Sequence, residues 1–198
     1  MQENKRARFI AVTGLDGSGK TTVIDEVISR LNKKGILAKK FQNHEPFSNY
    51  WDTFKQVFAE TKPSYELDRF MQAFELCMAA RDGLPQLLEE SDFVFSDRYV
   101  LDKIIYGRLR GQQELAEMAL RSIPIQPDVN VYLRLSPQIA HQRIMQSSSM
   151  TDWKETPFWL QQAYNQFEQL SNDDLIVPIN AQRSIREVSD ELLSVIRV

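Results

Sequence analysis

Between Gly14 and Thr21 the chain reads Gly-Leu-Asp-Gly-Ser-Gly-Lys-Thr, which fits the pattern G-x-x-x-x-G-K-[ST] at each fixed position. The apolar run Phe9-Ile10-Ala11-Val12-Thr13 precedes it and reads as a buried strand. Val23, Ile24, Val27, Ile28 and Leu31 follow at helical spacing until Gly35, a natural helix stop. A strand entering a glycine-rich turn and a helix leaving it form the opening unit of a parallel sheet, and few architectures accept that unit.

The residue types in the turn suit phosphate. Gly14, Gly17 and Gly19 carry no β-carbon, so backbone N–H groups can converge on phosphate oxygens. The helix that follows adds the positive end of its dipole. Lys20 is placed to reach the β- and γ-phosphates, and Thr21 offers a hydroxyl to Mg²⁺. The expected ATP-binding set is Gly14, Asp16, Gly17, Ser18, Gly19, Lys20, Thr21 and Thr22, with Mg²⁺ as the cofactor.

Further strands are expected at Ile36–Phe41, Phe93–Phe95, Val129–Leu135 and Leu175–Ile179. Helical patterning covers Tyr50–Phe58, Leu67–Leu88 with a break at Gly83 and Pro85, Leu160–Leu170 and Ile185–Ile196, and Ser136-Pro137 opens another helix. Strands alternating with helices imply an α/β fold: three layers, α/β/α, around a five-stranded parallel sheet. With 198 residues, 42% of them hydrophobic, the whole of 1–198 is expected to be a single domain. The loose stretch Gln146-Ser147-Ser148-Ser149-Met150 sits between two helices, where a flap would sit, and a lid is expected over roughly 144–157.

A formal charge of −3 argues against a protein built to hold a nucleic-acid polymer. One cysteine, Cys77, excludes an internal disulfide, and the apolar stretch at Phe9–Val12 is too short for a secretion signal. No segment approaches a membrane span, so a cytoplasmic protein is expected. The chain lacks the Asn-Lys-x-Asp signature that a GTPase would use for guanine and is short for a large ATPase, which leaves a small ATP-dependent kinase.

Two later segments narrow that class. Ser96-Asp97-Arg98-Tyr99-Val100 follows an apolar strand, and Pro127-Asp128-Val129-Asn130-Val131-Tyr132-Leu133-Arg134-Leu135-Ser136-Pro137 forms a strand-to-helix junction. Asp97, at the end of its strand beside the glycine-rich turn, can hold Mg²⁺ through water, and Arg98 can clamp an acceptor phosphate with its planar fork. Together with Gly14–Thr22, in this order and spacing, these segments resemble the thymidylate kinases along nearly the whole chain, with the deoxynucleoside kinases as relatives. The resemblance implies a P-loop kinase with a helical lid and a nucleotide-acceptor pocket. It also implies transfer of a phosphoryl group from Mg·ATP to a pyrimidine deoxynucleoside monophosphate, dTMP giving dTDP, and a homodimer. By the same resemblance Asp16 lies near the acceptor sugar and Arg81 touches the acceptor. Tyr106 either contacts the acceptor base or packs.

The chain also departs from that family. Its Arg-Glu-Pro run is His44-Glu45-Pro46 here, which removes an acceptor-gripping arginine. The position of the phenylalanine that stacks thymine falls on Cys77, four residues before Arg81, so the standard platform is missing, and Phe70 or Phe74 from another turn is the candidate substitute. Members with glycine at position 17 bring arginines from the lid, yet Gln146–Thr156 holds only Lys154; Arg143, just before it, is the best replacement. Glu45-Pro46 with Trp51 resembles the deoxynucleoside kinases, whose glutamate removes a proton from the sugar hydroxyl. Two alternatives therefore stand beside dTMP phosphorylation: a deoxynucleoside kinase with Glu45 as base, and a catalytically weak nucleotide-binding protein. The expected catalytic residues are Lys20, Asp97, Arg98 and Arg143. The expected acceptor contacts are Asp16, Glu45, Phe74, Arg81, Arg98 and Tyr106, and the expected metal contacts are Thr21 and Asp97.

Overall fold

The apolar run at Phe9–Val12 becomes the central strand of the sheet. In the computed structural model, which describes residues 6–42, 65–111, 118, 120–147, 153–172 and 175–198, β1 (Arg8–Thr13) is followed by α1 (Lys20–Lys33) and β2 (Ala38–Phe41). Next come α2 (Tyr65–Asp82), α3 (Leu84–Glu90), β3 (Phe93–Asp97), α4 (Val100–Arg108) and β4 (Val129–Arg134). The chain then runs through α5 (Pro137–Ser147), a 3₁₀ turn (Trp153–Glu155), α6 (Pro157–Asn172), β5 (Val177–Asn180) and α7 (Ile185–Val195). The five strands are parallel in the order β2-β3-β1-β4-β5.

Both faces of the sheet are covered, as parallel strands require. On β1, Ile10 and Val12 join Phe95, Val131 and Leu133 in a cluster with Val23, Ile24, Val27 and Leu31 of α1 and Val188 and Leu192 of α7. The alternate residues Phe9 and Ala11 belong with Phe41, Val94 and Tyr99 and with Ala73, Leu76 and Ala80 of α2. Phe9 and Tyr99 meet edge to face, with ring centroids 5.0 Å apart. The register Ala11↔Ser96 and Val12↔Asp97 brings the end of β3 level with the end of β1. The glycine-rich turn and the Asp97-Arg98 pair consequently leave the sheet side by side, next to the point where strand order reverses.

Local signals set the element ends. Gly35, at φ 78°, closes α1: its N–H donates to Asn32 O at 3.0 Å, and Ile36 N–H donates to Leu31 O at 3.1 Å. Ser184 and Glu187 cap α7 reciprocally. The long helical pattern over 67–88 divides at Gly83, as expected. No element is expected over 100–108, where α4 in fact forms; its β-branched Val100, Ile104 and Ile105 are weak helix formers, and packing against the sheet side compensates. The helix expected at Tyr50–Phe58 lies outside the described residues, as do Glu45 and the middle of the expected lid. Among the described residues no helix is long and apolar enough to cross a membrane.

Candidate active site

Helix α1 begins without a side-chain cap. Its N-cap is Gly19, at φ 85°, and no side chain accepts from the first-turn N–H groups. A β-carbon at Gly19 would meet nothing within 4 Å, so the space over these N–H groups is open. Unsatisfied donors and the positive end of the dipole together make an anion site.

Lys20, in the first turn, folds back over the loop. Its Nζ donates to Leu15 O at 2.8 Å, to Gly14 O at 3.2 Å and to Ser18 Oγ at 3.4 Å. Burial pulls its pKa down to about 8, the positive charge of Arg98 adds to that, and the carboxylates of Asp16, Asp97 and Asp102 oppose it. The ammonium group is thus poorly solvated and held near the loop by main-chain carbonyls. An arriving phosphate would find it already in place.

Thr21 Oγ1 donates to Asp97 Oδ2, joining the first turn of α1 to the end of β3. One hydroxyl beside one carboxylate, with phosphate oxygens and waters supplying the rest, fits a magnesium ion, which keeps several waters and needs few protein ligands. A cage of protein carboxylates is a different site. Among the described residues no group of three or more His, Cys, Asp or Glu side chains is arranged to hold a metal.

Arg98 forms the opposite wall. It is a non-glycine residue at φ 68°, a backbone conformation that costs L-residues about 1–2 kcal/mol. Its N–H donates to Val12 O at 2.9 Å, and Ser96 Oγ donates to its carbonyl. The guanidinium is ion-paired with Asp16 through Nη2 and with Asp102 through Nη1 at 2.8 Å, and Nη1 also donates to Gly14 O at 3.3 Å. Burial works against its charge, but Tyr106, Asp102 and Asp16 outweigh burial and hold it firmly protonated. Burial likewise tends to raise the Asp16 carboxyl, yet Arg98, Lys20 and Lys154 prevail and keep it below the usual carboxylate range.

Tyr106 is buried, and its ring lies under two cations: Arg98 Cζ at 5.4 Å and Lys154 Nζ at 5.9 Å from the centroid. Burial raises its hydroxyl to about 12. Lys154, in the 3₁₀ turn, also reaches Asp16 Oδ2 at 3.5 Å. Arg143 of α5 donates to Gly17 O at 3.4 Å and to Ala181 O at 3.2 Å. A cleft of about 400 Å³ is lined by Asp16, Gly17, Gly19, Lys20, Thr21, Thr22, Asp97, Arg98, Arg143 and Ser147.

Most of the expected phosphate-side residues therefore surround one cleft, and Tyr106 lies beneath its cations. Phe74 and Arg81 do not line it. Both are exposed on α2, and Arg81 pairs with its neighbour Asp82 at 2.6 Å. Seven residues apart, they occupy the same helix face. Glu45 lies outside the described residues. The residue that sequence reasoning missed is Asp102, 2% exposed and bonded to both Thr13 and Arg98. Its one legible signal was its place four residues after Arg98, in a stretch where no helix was expected.

A family model described as thymidylate kinase matches residues 12–192. The chain is 29% identical over 192 residues to a probable thymidylate kinase of Archaeoglobus fulgidus, covering 95% of this chain and 94% of that one. It is 30% identical over 201 residues to a thymidylate kinase of Caldicellulosiruptor saccharolyticus, covering 96% of each. A solved structure of deoxyadenosine kinase from M. mycoides, with dCMP and a flexible dCDP bound, shares the fold with a TM-score of 0.67 at 16% identity. The match covers 96% of this chain and 98% of that one.

Proposed function

The chain belongs to the thymidylate kinase family of ATP-dependent kinases, and from that membership we infer how the cleft works in transferring the γ-phosphoryl group of ATP to dTMP to give dTDP. The observation that carries this reading is the pairing, across one cleft, of a phosphate-binding loop with an arginine aimed from the facing strand end. A phosphoryl donor and a phosphorylated acceptor both bring negative charge, and each wall offers a cation to receive it.

The α1 N-terminus and Lys20 hold the β- and γ-phosphates, exchanging the carbonyl contacts of the ammonium group for phosphate oxygens. Thr21 and Asp97 would hold Mg²⁺, Asp97 through water, and the bound ion would neutralise charge on the phosphate oxygens. Arg98 clamps the acceptor phosphate in line with the donor, and Asp16 lies between the two for the acceptor sugar. Arg143, just before the lid of roughly 144–157, and Lys154, within it, bring positive charge toward the transferring group. Phe74 and Arg81 share an exposed face of α2 away from the cleft lining, so an acceptor role for them would require the acceptor base to extend beyond that cleft. An acceptor phosphate is already anionic and needs no general base, so dTMP transfer rests on positioning and charge neutralisation.

We take the whole chain to act as one domain, in the cytoplasm and as a homodimer. Its net charge of −3 gives no footprint for a nucleic-acid polymer. The decisive experiment offers dTMP and thymidine separately with Mg·ATP and follows nucleoside mono-, di- and triphosphates by chromatography. Conversion of dTMP to dTDP is expected. Consumption of thymidine in place of dTMP would transfer the assignment to a deoxynucleoside kinase, and turnover of neither would leave only nucleotide binding.

A further inference from the structure

We propose that Asp102 is a positioning residue for the acceptor end of the site, holding the Arg98 guanidinium where it meets the acceptor phosphate; this rests on the role given to Arg98 above. Asp102 stands in the first turn of α4 and is 2% exposed. Both of its carboxylate oxygens are engaged: Oδ2 accepts from Thr13 Oγ1 at 2.6 Å, and Oδ1 accepts from Arg98 Nη1 at 2.8 Å. Thr13 is the last residue of β1, immediately before the phosphate loop. One carboxylate thereby ties the guanidinium to the end of the central strand.

Arg98 is held by two carboxylates with different duties. Asp16 sits in the phosphate loop and is shared with Lys154, so its hold on Arg98 changes with whatever occupies the cleft. Asp102 is buried away from the cleft lining and bonds inward to the strand end. The left-handed backbone of Arg98 directs its side chain toward this pair, and such strain persists where the surroundings over-determine a geometry. A buried ion pair adds little net stability compared with well-packed apolar groups, but it restricts orientation strongly. Without Asp102, the fork would retain Asp16, the Gly14 carbonyl and the Tyr106 ring, the first two on the phosphate-loop side, and would lose its tie through Thr13 to the end of β1. The arginine would lean toward the donor, and the acceptor would lose its grip.

The test is steady-state kinetics of Asp102→Asn with ATP and dTMP, with thermal unfolding measured in parallel. The expected result is a rise of about tenfold or more in the KM for dTMP, as for loss of one charge-assisted hydrogen bond, while the KM for ATP stays within about twofold. In an Arg98→Met background, Asp102→Asn should cause no further loss of dTMP affinity by calorimetry, because the two act as a unit. Thr13→Val, which removes the inner anchor and leaves every charge in place, should raise the dTMP KM in the same direction by a smaller factor. It serves alone if Asp102→Asn does not fold. Equal losses for ATP and dTMP, additive losses with Arg98→Met, or wild-type dTMP kinetics in the variants would overturn the proposal. Wild-type turnover of dTMP tests the functional reading separately, since it makes no use of the variants.

Discussion

Lys20 and Arg98 donate to one and the same oxygen: the Gly14 carbonyl accepts from Lys20 Nζ at 3.2 Å and from Arg98 Nη1 at 3.3 Å. The cation proposed for the donor and the cation proposed for the acceptor thus meet at the first residue of the glycine-rich loop. Their repulsion contributes to the depressed pKa of Lys20, and the carboxylates of Asp16, Asp97 and Asp102 offset it. Two like charges this close are stored for substrate, because arriving phosphates relieve the repulsion while an empty site must tolerate it.

That arrangement gives the ATP interaction a pH signature. Lys20 titrates at about 8 in the folded, ligand-free chain, below the ordinary lysine value of 10.5. Between those two values the unfolded chain carries a proton that the folded chain lacks, so this group makes stability rise with pH through that window; below about 8 both states are charged and the desolvation cost is fully present. Bound phosphate favours the ammonium form, so ATP binding at pH 8.5 should take up a proton. Titration calorimetry in two buffers of different ionisation enthalpy should show the difference in heat, and Lys20→Ala should abolish it and lower kcat by about 10² or more.

The loop glycines separate steric cost from functional cost. A β-carbon at Gly17 would come 2.8 Å from the Ala140 carbonyl of α5, at a residue already at φ 78°. Gly17→Ala should therefore lower the unfolding free energy by about 1–3 kcal/mol. At Gly19 the added carbon meets nothing within 4 Å, leaving only the cost of φ 85°, of order 1–2 kcal/mol. Gly19→Ala should melt at a higher temperature than Gly17→Ala while losing ATP affinity at least as severely, because its methyl enters the phosphate space. Calorimetric melting paired with ATP titration distinguishes the two.

Thr21 and Asp97 are joined directly, so their substitutions should not add. Thr21→Val and Asp97→Asn should each raise the magnesium concentration needed for half-maximal turnover and lower kcat by roughly 10²-fold, with the double variant little worse than either. A magnesium titration at saturating ATP measures this. Independent, multiplying losses would place the ion elsewhere.

The two lid-side cations should differ in weight. Arg143 lies against the Gly17 carbonyl and lines the cleft, whereas Lys154 is tied to Asp16 on the acceptor side. Single-turnover rates should fall by about 10²-fold or more in Arg143→Ala and by about tenfold in Lys154→Ala. The reverse order would make Lys154 the main charge delivered to the transferring phosphoryl group.

Local chemistry was readable from the chain wherever the signal was contiguous. The strand at Phe9–Val12, the glycine run, the stop at Gly35 and the break at Gly83 each depend on residues a few positions apart, and the structure places each where expected. Helix α4 was not readable, because a short segment carrying three β-branched residues forms a helix only when packing outweighs propensity. With α4 unread, Asp102 was invisible as a site residue. Tyr106 and Lys154 were both named from the sequence, but their contact was not legible: nothing in sequence places one ring beneath two cations from distant segments.

By itself the sequence determined a parallel α/β sheet, a phosphate cradle at Gly14–Thr21 and an acidic-basic pair leaving the third strand. Backbone geometry and hydrophobic periodicity act over one or two turns of chain, and that range suffices for these features. Only the tertiary structure decided which charges share the cleft. The register of β1 against β3 sets Asp97 beside Thr21 and Arg98 over Gly14, and the packing of α4 carries Asp102 to Thr13. Such electrostatic contacts depend on distances of a few ångströms between residues 76 to 126 positions apart, and only the folded core determines those distances.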